Sequence, residues 1–196
     1  MARDGPQILL TAPKDSDAAT GRKPADAIRA VRCPGNTYPH RKVTRELMHV
    51  GVVNGPNLNR LGQRRPDRYG RHTLADILAH LQKTAARLGV RVSHIQSNHE
   101  GELVDWLHEH QDDLDALIVN PAGLTPYGKP LYDALSDTGL PVAVVHITQL
   151  YRHEGTDARD LFRGLATAYI AGLGWRGYGV ALENLCERRS DGPDPA

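Results

Sequence analysis

The sequence predicts an α/β domain in which five parallel strands form one sheet with helices on both faces. Two observations lead there. Short apolar runs alternate about five times with stretches of helical periodicity. The most unusual polar segments directly follow those runs, which puts them beyond the carboxyl ends of the strands, where open sheets of this kind bind ligands.

The elements follow in order. LMHVGVV (Leu47–Val53) is an apolar run closed by Asn54-Gly55-Pro56, the pattern of a buried strand. Thr73–Gly89 has Thr73 as N-cap, apolar residues at Leu74, Ile77, Leu78 and Leu81, and Gly89 as a stop, which together specify an amphipathic helix. VRVSHIQS (Val90–Ser97) reads as a strand and EGELVDWLHEH (Glu100–His110) as a helix. LDALIVN (Leu114–Asn120) is the next strand, KPLYDALSDTG (Lys129–Gly139) a helix and PVAVVHI (Pro141–Ile147) a strand. The last strand lies in LATAYIAGLG (Leu165–Gly174), and RGYGVALENLCERR (Arg176–Arg189) closes the fold as a helix. This alternation is the flavodoxin-like arrangement. It brings three polar loops over one cleft: Asn54–Tyr69, Asn120–Gly128 and His146–Arg152.

Composition bounds the partners. A net charge of +1 over 196 residues gives no electrostatic case for nucleic acid. No apolar run approaches the ~18 residues that span a bilayer, and no secretory signal opens the chain. Cys33 and Cys186 have no metal-like spacing and read as free thiols, so a cytoplasmic protein is expected. Residues 1–46 hold five prolines and a net charge of +4, too little apolar surface to offset the entropy of ordering, and read as a flexible basic extension. The expected folded unit is 47–190, with 191–196 a disordered end.

The cleft residues suggest chemistry. Tyr69 shares its loop with Arg60, Arg64, Arg65 and Arg68. Nearby cations favour a phenolate, so Tyr69 is a candidate base for a proton beside a carbonyl. The ordinary alternative is a surface tyrosine in a solvated basic loop. His146 ends an apolar strand and is a candidate acid for a leaving hydroxyl, or else a hydrogen-bonded structural residue. The backbone N–H groups of Ile147 and Thr148, with the amide of Asn120, could seat an anion. Base, acid and anion seat are the parts of a β-elimination of water from a hydroxy-keto acid. No metal and no organic cofactor are expected: the ten histidines are scattered, and neither a dinucleotide fingerprint nor a P-loop is present.

Five stretches together resemble the type II 3-dehydroquinate dehydratases: NGPNLNRLGQRRPDRYG (Asn54–Gly70), QSNHEGELVDWLHE (Gln96–Glu109), IVNPAGLT (Ile118–Thr125), LPVAVVHIT (Leu140–Thr148) and GLGWRGY (Gly172–Tyr178). The likeness runs without gaps from about Val50 to Glu187. It implies a flavodoxin-like fold, a small-molecule carboxylate substrate, no cofactor, and a homo-oligomer, a dodecamer of trimers. By the same resemblance, Tyr69 is the base, Arg64 the cation that acidifies it, and Asn57 the residue that stabilises the enolate with a water. His146 is the acid, Asn120 with the backbone at Ile147 and Thr148 the carboxylate seat, and Asp133 a contribution across the trimer interface.

Some positions depart from that pattern. Pro126 stands where the family has a hydroxyl-gripping histidine, and His153 and Asp157 stand where it has arginines. Gln149 replaces an asparagine. Val144 replaces a glutamate, so His146 is expected to lack its orienting partner. Each lost charged hydrogen bond costs about 1.5–3 kcal/mol. Three readings therefore stay open: dehydration of 3-dehydroquinate, the same mechanism on a carboxylate with altered ring substituents, or a silent paralogue.

Overall fold

The computed structural model describes residues 47–155 and 158–191, so the expected N-terminal extension, Asp157 and residues 192–196 lie outside the described residues. Strand β1 (His49–Asn54) is buried along its whole length. A one-turn helix, α1 (Pro66–Tyr69), and the longer α2 (Leu74–Leu88) lead to β2 (Arg91–Gln96). Then come α3 (Glu100–His110), β3 (Ala116–Asn120), α4 (Lys129–Asp137), β4 (Val142–His146), the short α5 (Leu150–Glu154), β5 (Ala168–Ala171) and α6 (Gly177–Asp191).

All strand pairs are parallel and the order is β2-β1-β3-β4-β5, the expected flavodoxin-like sheet. The three inner strands β1, β3 and β4 are wholly buried, whereas the edge strands β2 and β5 are only partly covered. Burial on both faces is why the inner strands read as continuous apolar runs. On one face Val50, Val52, Ile118 and Val145 pack with Ile77 and Leu81 of α2 and Leu182 of α6. On the other, Val53, Val119 and Val144 pack with Leu103 and Leu107 of α3 and Leu131 of α4. Each such side chain contributes roughly 1.5–3 kcal/mol by leaving water.

Local signals set the helix ends. Thr73 Oγ1 accepts from the Asp76 N–H at 3.1 Å while the Asp76 carboxylate accepts from the Thr73 N–H at 2.8 Å, a reciprocal cap that starts α2. Gly89, at φ 67°, stops it. The two short helices α1 and α5 were not expected, because four or five residues are too few to carry a readable periodicity.

The chain leaves β1 through α2, on one face, and leaves β3 through α4, on the other. A crevice therefore opens between the ends of these neighbouring strands, where Asn54 pairs in register with Asn120. Gly55 closes its floor: its N–H donates to the Asn120 carbonyl at 2.9 Å, and a Cβ there would sit 2.3 Å from the Pro121 carbonyl oxygen. Gly55→Ala must push two strand ends apart. It should lower stability by about 1–3 kcal/mol, read as a drop in the urea midpoint.

Candidate active site

The crevice encloses about 260 Å³, just below the ~300–1,000 Å³ usual for ligand pockets. The loop after β1 supplies Asn57, Arg64, Arg65, Arg68 and Tyr69; the loop after β3, Asn120, Ala122 and Thr125; the turn after β4, His146, Ile147, Thr148 and Glu154. Of the expected residues, Asn57, Arg64, Tyr69, Asn120, His146, Ile147 and Thr148 all line it. Asp133 does not: it sits on α4 with about half its side chain exposed, paired with Lys129.

The loop after β1 is pinned by buried Leu58 and Leu61 and shaped by its own polar atoms. Asn57 adopts a left-handed conformation, φ 66°, and its N–H donates to Asn98 Oδ1 at 2.8 Å. Arg65, at φ 40°, precedes Pro66, and the proline ring disfavours right-handed helix at the residue before it. Pro66 then opens α1 at the position where a missing N–H costs nothing. That single turn presents Tyr69, half-buried against the core, between two guanidinium groups. Arg64 Cζ lies 5.1 Å and Arg68 Cζ 5.2 Å from the ring centroid, within cation–π range. Arg68 also donates to Glu154 at 2.9 Å, tying α1 to α5 across the mouth of the crevice.

Asn120 is held from behind. Its Nδ2 donates to the Tyr178 hydroxyl at 2.9 Å and its Oδ1 accepts from the Ala122 N–H at 3.2 Å. Tyr178, fully buried on α6, donates in turn to Asn54 Oδ1 at 2.7 Å. Burial pushes its phenol far above the ordinary value, with the Asn120 hydrogen bond opposing, so it remains a hydroxyl. Ala122 completes a pattern: with Asn57 and Arg65 it is one of three non-glycine residues at positive φ among the described residues, and all three line the crevice.

His146 ends β4 and is 6% exposed. The expectation that it lacks an orienting partner is overturned. Its Nε2 lies 2.8 Å from Asp160 Oδ2, in a segment without regular structure fourteen residues downstream. The same oxygen accepts from the Tyr169 hydroxyl at 2.8 Å, and Oδ1 accepts from the Phe162 N–H at 2.9 Å. Burial raises the Asp160 carboxyl, but the hydrogen bonds from His146 and Tyr169, the His146 charge and the Phe162 N–H together hold it below its usual range. The Tyr169 phenol is raised by burial and by that carboxylate. Val144 faces the apolar core beside Tyr169, its register partner on β5, so the carboxylate arrives from a loop instead of from β4. Sequence reasoning missed Asp160 and Tyr169 because nothing local links them to His146.

The described positions that depart from the family pattern lie elsewhere. Pro126 and His153 do not line the crevice, nor do Arg152, Arg159 or Arg163, whereas Arg65 and Arg68 do. Three guanidinium groups against one carboxylate, Glu154, leave the cavity positive and suited to an acid. Among the described residues no cluster of three or more His, Cys, Asp or Glu is placed to hold a metal ion.

The family model described as dehydroquinase class II matches residues 48–186. A 3-dehydroquinate dehydratase of Roseiflexus castenholzii is 47% identical over 146 residues, 74% of this chain and 93% of the relative. The 3-dehydroquinate dehydratase 2 of Corynebacterium efficiens is 48% identical over 143 residues, 72% and 99% of the two chains. Among solved structures, the type II dehydroquinase from Propionibacterium acnes superposes with a TM-score of 0.67 at 35% identity, covering 72% of this chain and 99% of that one.

Two stability measurements test the scaffold. Tyr178→Phe leaves Asn54 Oδ1 without its donor and Asn120 Nδ2 without its acceptor, and should lower the unfolding free energy by about 1–3 kcal/mol with an unchanged urea m-value. Asp160 has a depressed folded-state pKa, so its stabilisation is present above the unfolded value near pH 4 and fades as pH falls through the lower folded value. The stability gap between wild type and Asp160→Asn should therefore be widest above about pH 5 and shrink toward pH 2.

Proposed function

The chain belongs to the class II dehydroquinase family, and from that premise we propose that its crevice removes water from 3-dehydroquinate, giving 3-dehydroshikimate through an enolate. Tyr69, as phenolate, takes the proton from the carbon beside the ketone. Arg64 and Arg68 offset the negative charge on the phenolate oxygen. Asn57, with a water, stabilises the enolate. His146 then gives a proton to the departing hydroxyl, which leaves as water. Asn120 and the backbone at Ile147 and Thr148 seat the substrate carboxylate. An amide nitrogen has two N–H groups, so Asn120 can hold Tyr178 with one and the ligand with the other.

One observation carries the reading: a single small, positive crevice collects residues suited to base, acid and anion seat from three separate loops. The wider setting belongs to the same proposal. The catalytic unit is 47–190, acting in the cytoplasm on the shikimate route, with 1–46 a basic extension and 191–196 a tail. The assembly is a dodecamer of trimers in which α4 offers Asp133 to a neighbouring subunit. Its support is that Asp133 lies exposed and outside its own crevice.

A second reading, a lyase of the same mechanism on a carboxylate with different ring substituents, draws on the absence of Pro126 and His153 from the crevice lining.

Incubating the purified chain with 3-dehydroquinate and following enone absorbance tests the first reading. Turnover is expected, and Tyr69→Phe should lower kcat by about 10²–10⁴-fold; a variant as fast as wild type would remove Tyr69 from the mechanism. If wild-type turnover is weak, Pro126→His with Asp157→Arg should raise kcat/KM by at least tenfold on the second reading. No gain from that pair would count against it.

A further inference from the structure

We infer that Asp160, steadied by Tyr169, is the positioning residue that fixes the tautomer of His146 and so decides which ring nitrogen delivers the proton. The inference rests on the proposed acid role of His146 for its catalytic consequence, but not for its structural content.

Asp160 Oδ1 takes the Phe162 N–H, and Oδ2 takes the Tyr169 hydroxyl. The carboxylate side chain is fully buried, and the His146 ring is 7% exposed. An ionised carboxylate can only accept, so the 2.8 Å contact requires His146 Nε2 to carry hydrogen. The neutral ring is therefore the Nε2–H form, with its lone pair on Nδ1. In the charged ring, Nε2–H stays on Asp160 and Nδ1–H is the transferable proton. When the substrate C–O bond breaks, the bonding pair leaves with the oxygen, the Nδ1 proton joins it to make water, and the ring returns to neutral Nε2–H. The Asp160 contact is the same before and after, so no side chain has to reorient during the step.

Tyr169 does more than fill space. Its hydroxyl is the second donor on Oδ2, and its ring lies 5.4 Å from that of His146, restricting the imidazole laterally. Tyr151, on α5, also interacts with Tyr169. The charged and titratable groups that line the crevice with the ring are Arg64, Arg65, Arg68, Tyr69 and Glu154. Asp160 is the anion in hydrogen-bond contact with the imidazole.

The geometry makes Asp160→Asn informative. The Phe162 N–H needs an acceptor, so the asparagine must keep its oxygen there and turn its NH₂ toward His146 Nε2. A donor facing Nε2 forces the ring into the neutral Nδ1–H form, which would have to become an imidazolate to give up its proton. The shape of the site is kept while the acid is disabled.

Nitrogen-15 NMR of the full chain, with His146 assigned by substitution, reads the tautomer without any substrate. The wild-type neutral ring should be Nε2–H and the Asp160→Asn ring Nδ1–H. A wild-type ring carrying its proton on Nδ1, or a tautomer unchanged in the variant, overturns the inference. On 3-dehydroquinate, Asp160→Asn should lose about 10²-fold or more in kcat with KM within about threefold, while Tyr169→Phe, which keeps the carboxylate, should lose less than about tenfold. Equal kcat losses in the two variants would also count against the tautomer mechanism. A wild-type chain inactive on that substrate would sink the proposed function alone, and the NMR result would still decide this inference.

Discussion

A parallel sheet covered on both faces can offer polar chemistry only where its strands end, and the rest of this molecule depends on that constraint. The inner strands are apolar between their ends, and at their carboxyl ends polar side chains come at Asn54, Asn120 and His146. Register fixes those ends at one edge, since Asn54 pairs with Asn120 and Val119 with Val144. Tyr178 then ties Asn54 to Asn120 from a helix on the far side of the chain, so the base of the crevice is a hydrogen-bonded lattice rather than a loose meeting of loops. A buried network of this kind stabilises only when every member is satisfied, which couples the position of the Asn120 amide to the integrity of the core.

Electrostatics divide the crevice into two zones. On the α1 side, Arg64 and Arg68 lie over the half-buried Tyr69 ring, and Arg65 lines the same cavity. On the β4 side, a single desolvated carboxylate holds an imidazole. A buried charge is tolerable only when its acceptor capacity is filled, and Asp160 meets that condition with three donors. Positive charge thus gathers beside the phenol and negative charge beside the imidazole.

Much of this was legible in the sequence. Apolar runs at Leu47–Val53, Leu114–Asn120 and Pro141–Ile147 were readable because strands covered on both faces need no alternation, and α2 was readable from its cap, its periodicity and its glycine stop. Tyr69, Arg64 and His146 stood out because polar groups at strand ends are the exception that this architecture reserves for ligands. Asp160 was not legible. Its segment has no period, and its partner is fourteen residues away through a turn and a short helix. Val144 pointed the wrong way for the same reason: absence of a carboxylate at one position in sequence says nothing about which other backbone can reach the imidazole in space.

Backbone conformation gives an independent reason to regard the crevice as built for a task. A non-glycine residue at positive φ costs of order 1–3 kcal/mol, and a fold selected for stability alone would place glycine there, as Gly62, Gly70 and Gly89 do in this chain. Asn57, Arg65 and Ala122 carry that cost instead, on two loops that face each other across the cavity. At Asn57 the strain comes with a side chain expected at the enolate. At Arg65 it comes with the turn that starts α1 and points Tyr69 inward. At Ala122 it comes with the N–H that holds Asn120 Oδ1. Backbone strain that, among the described non-glycine residues, is found only along one cavity is what a site preorganised for its ligand requires.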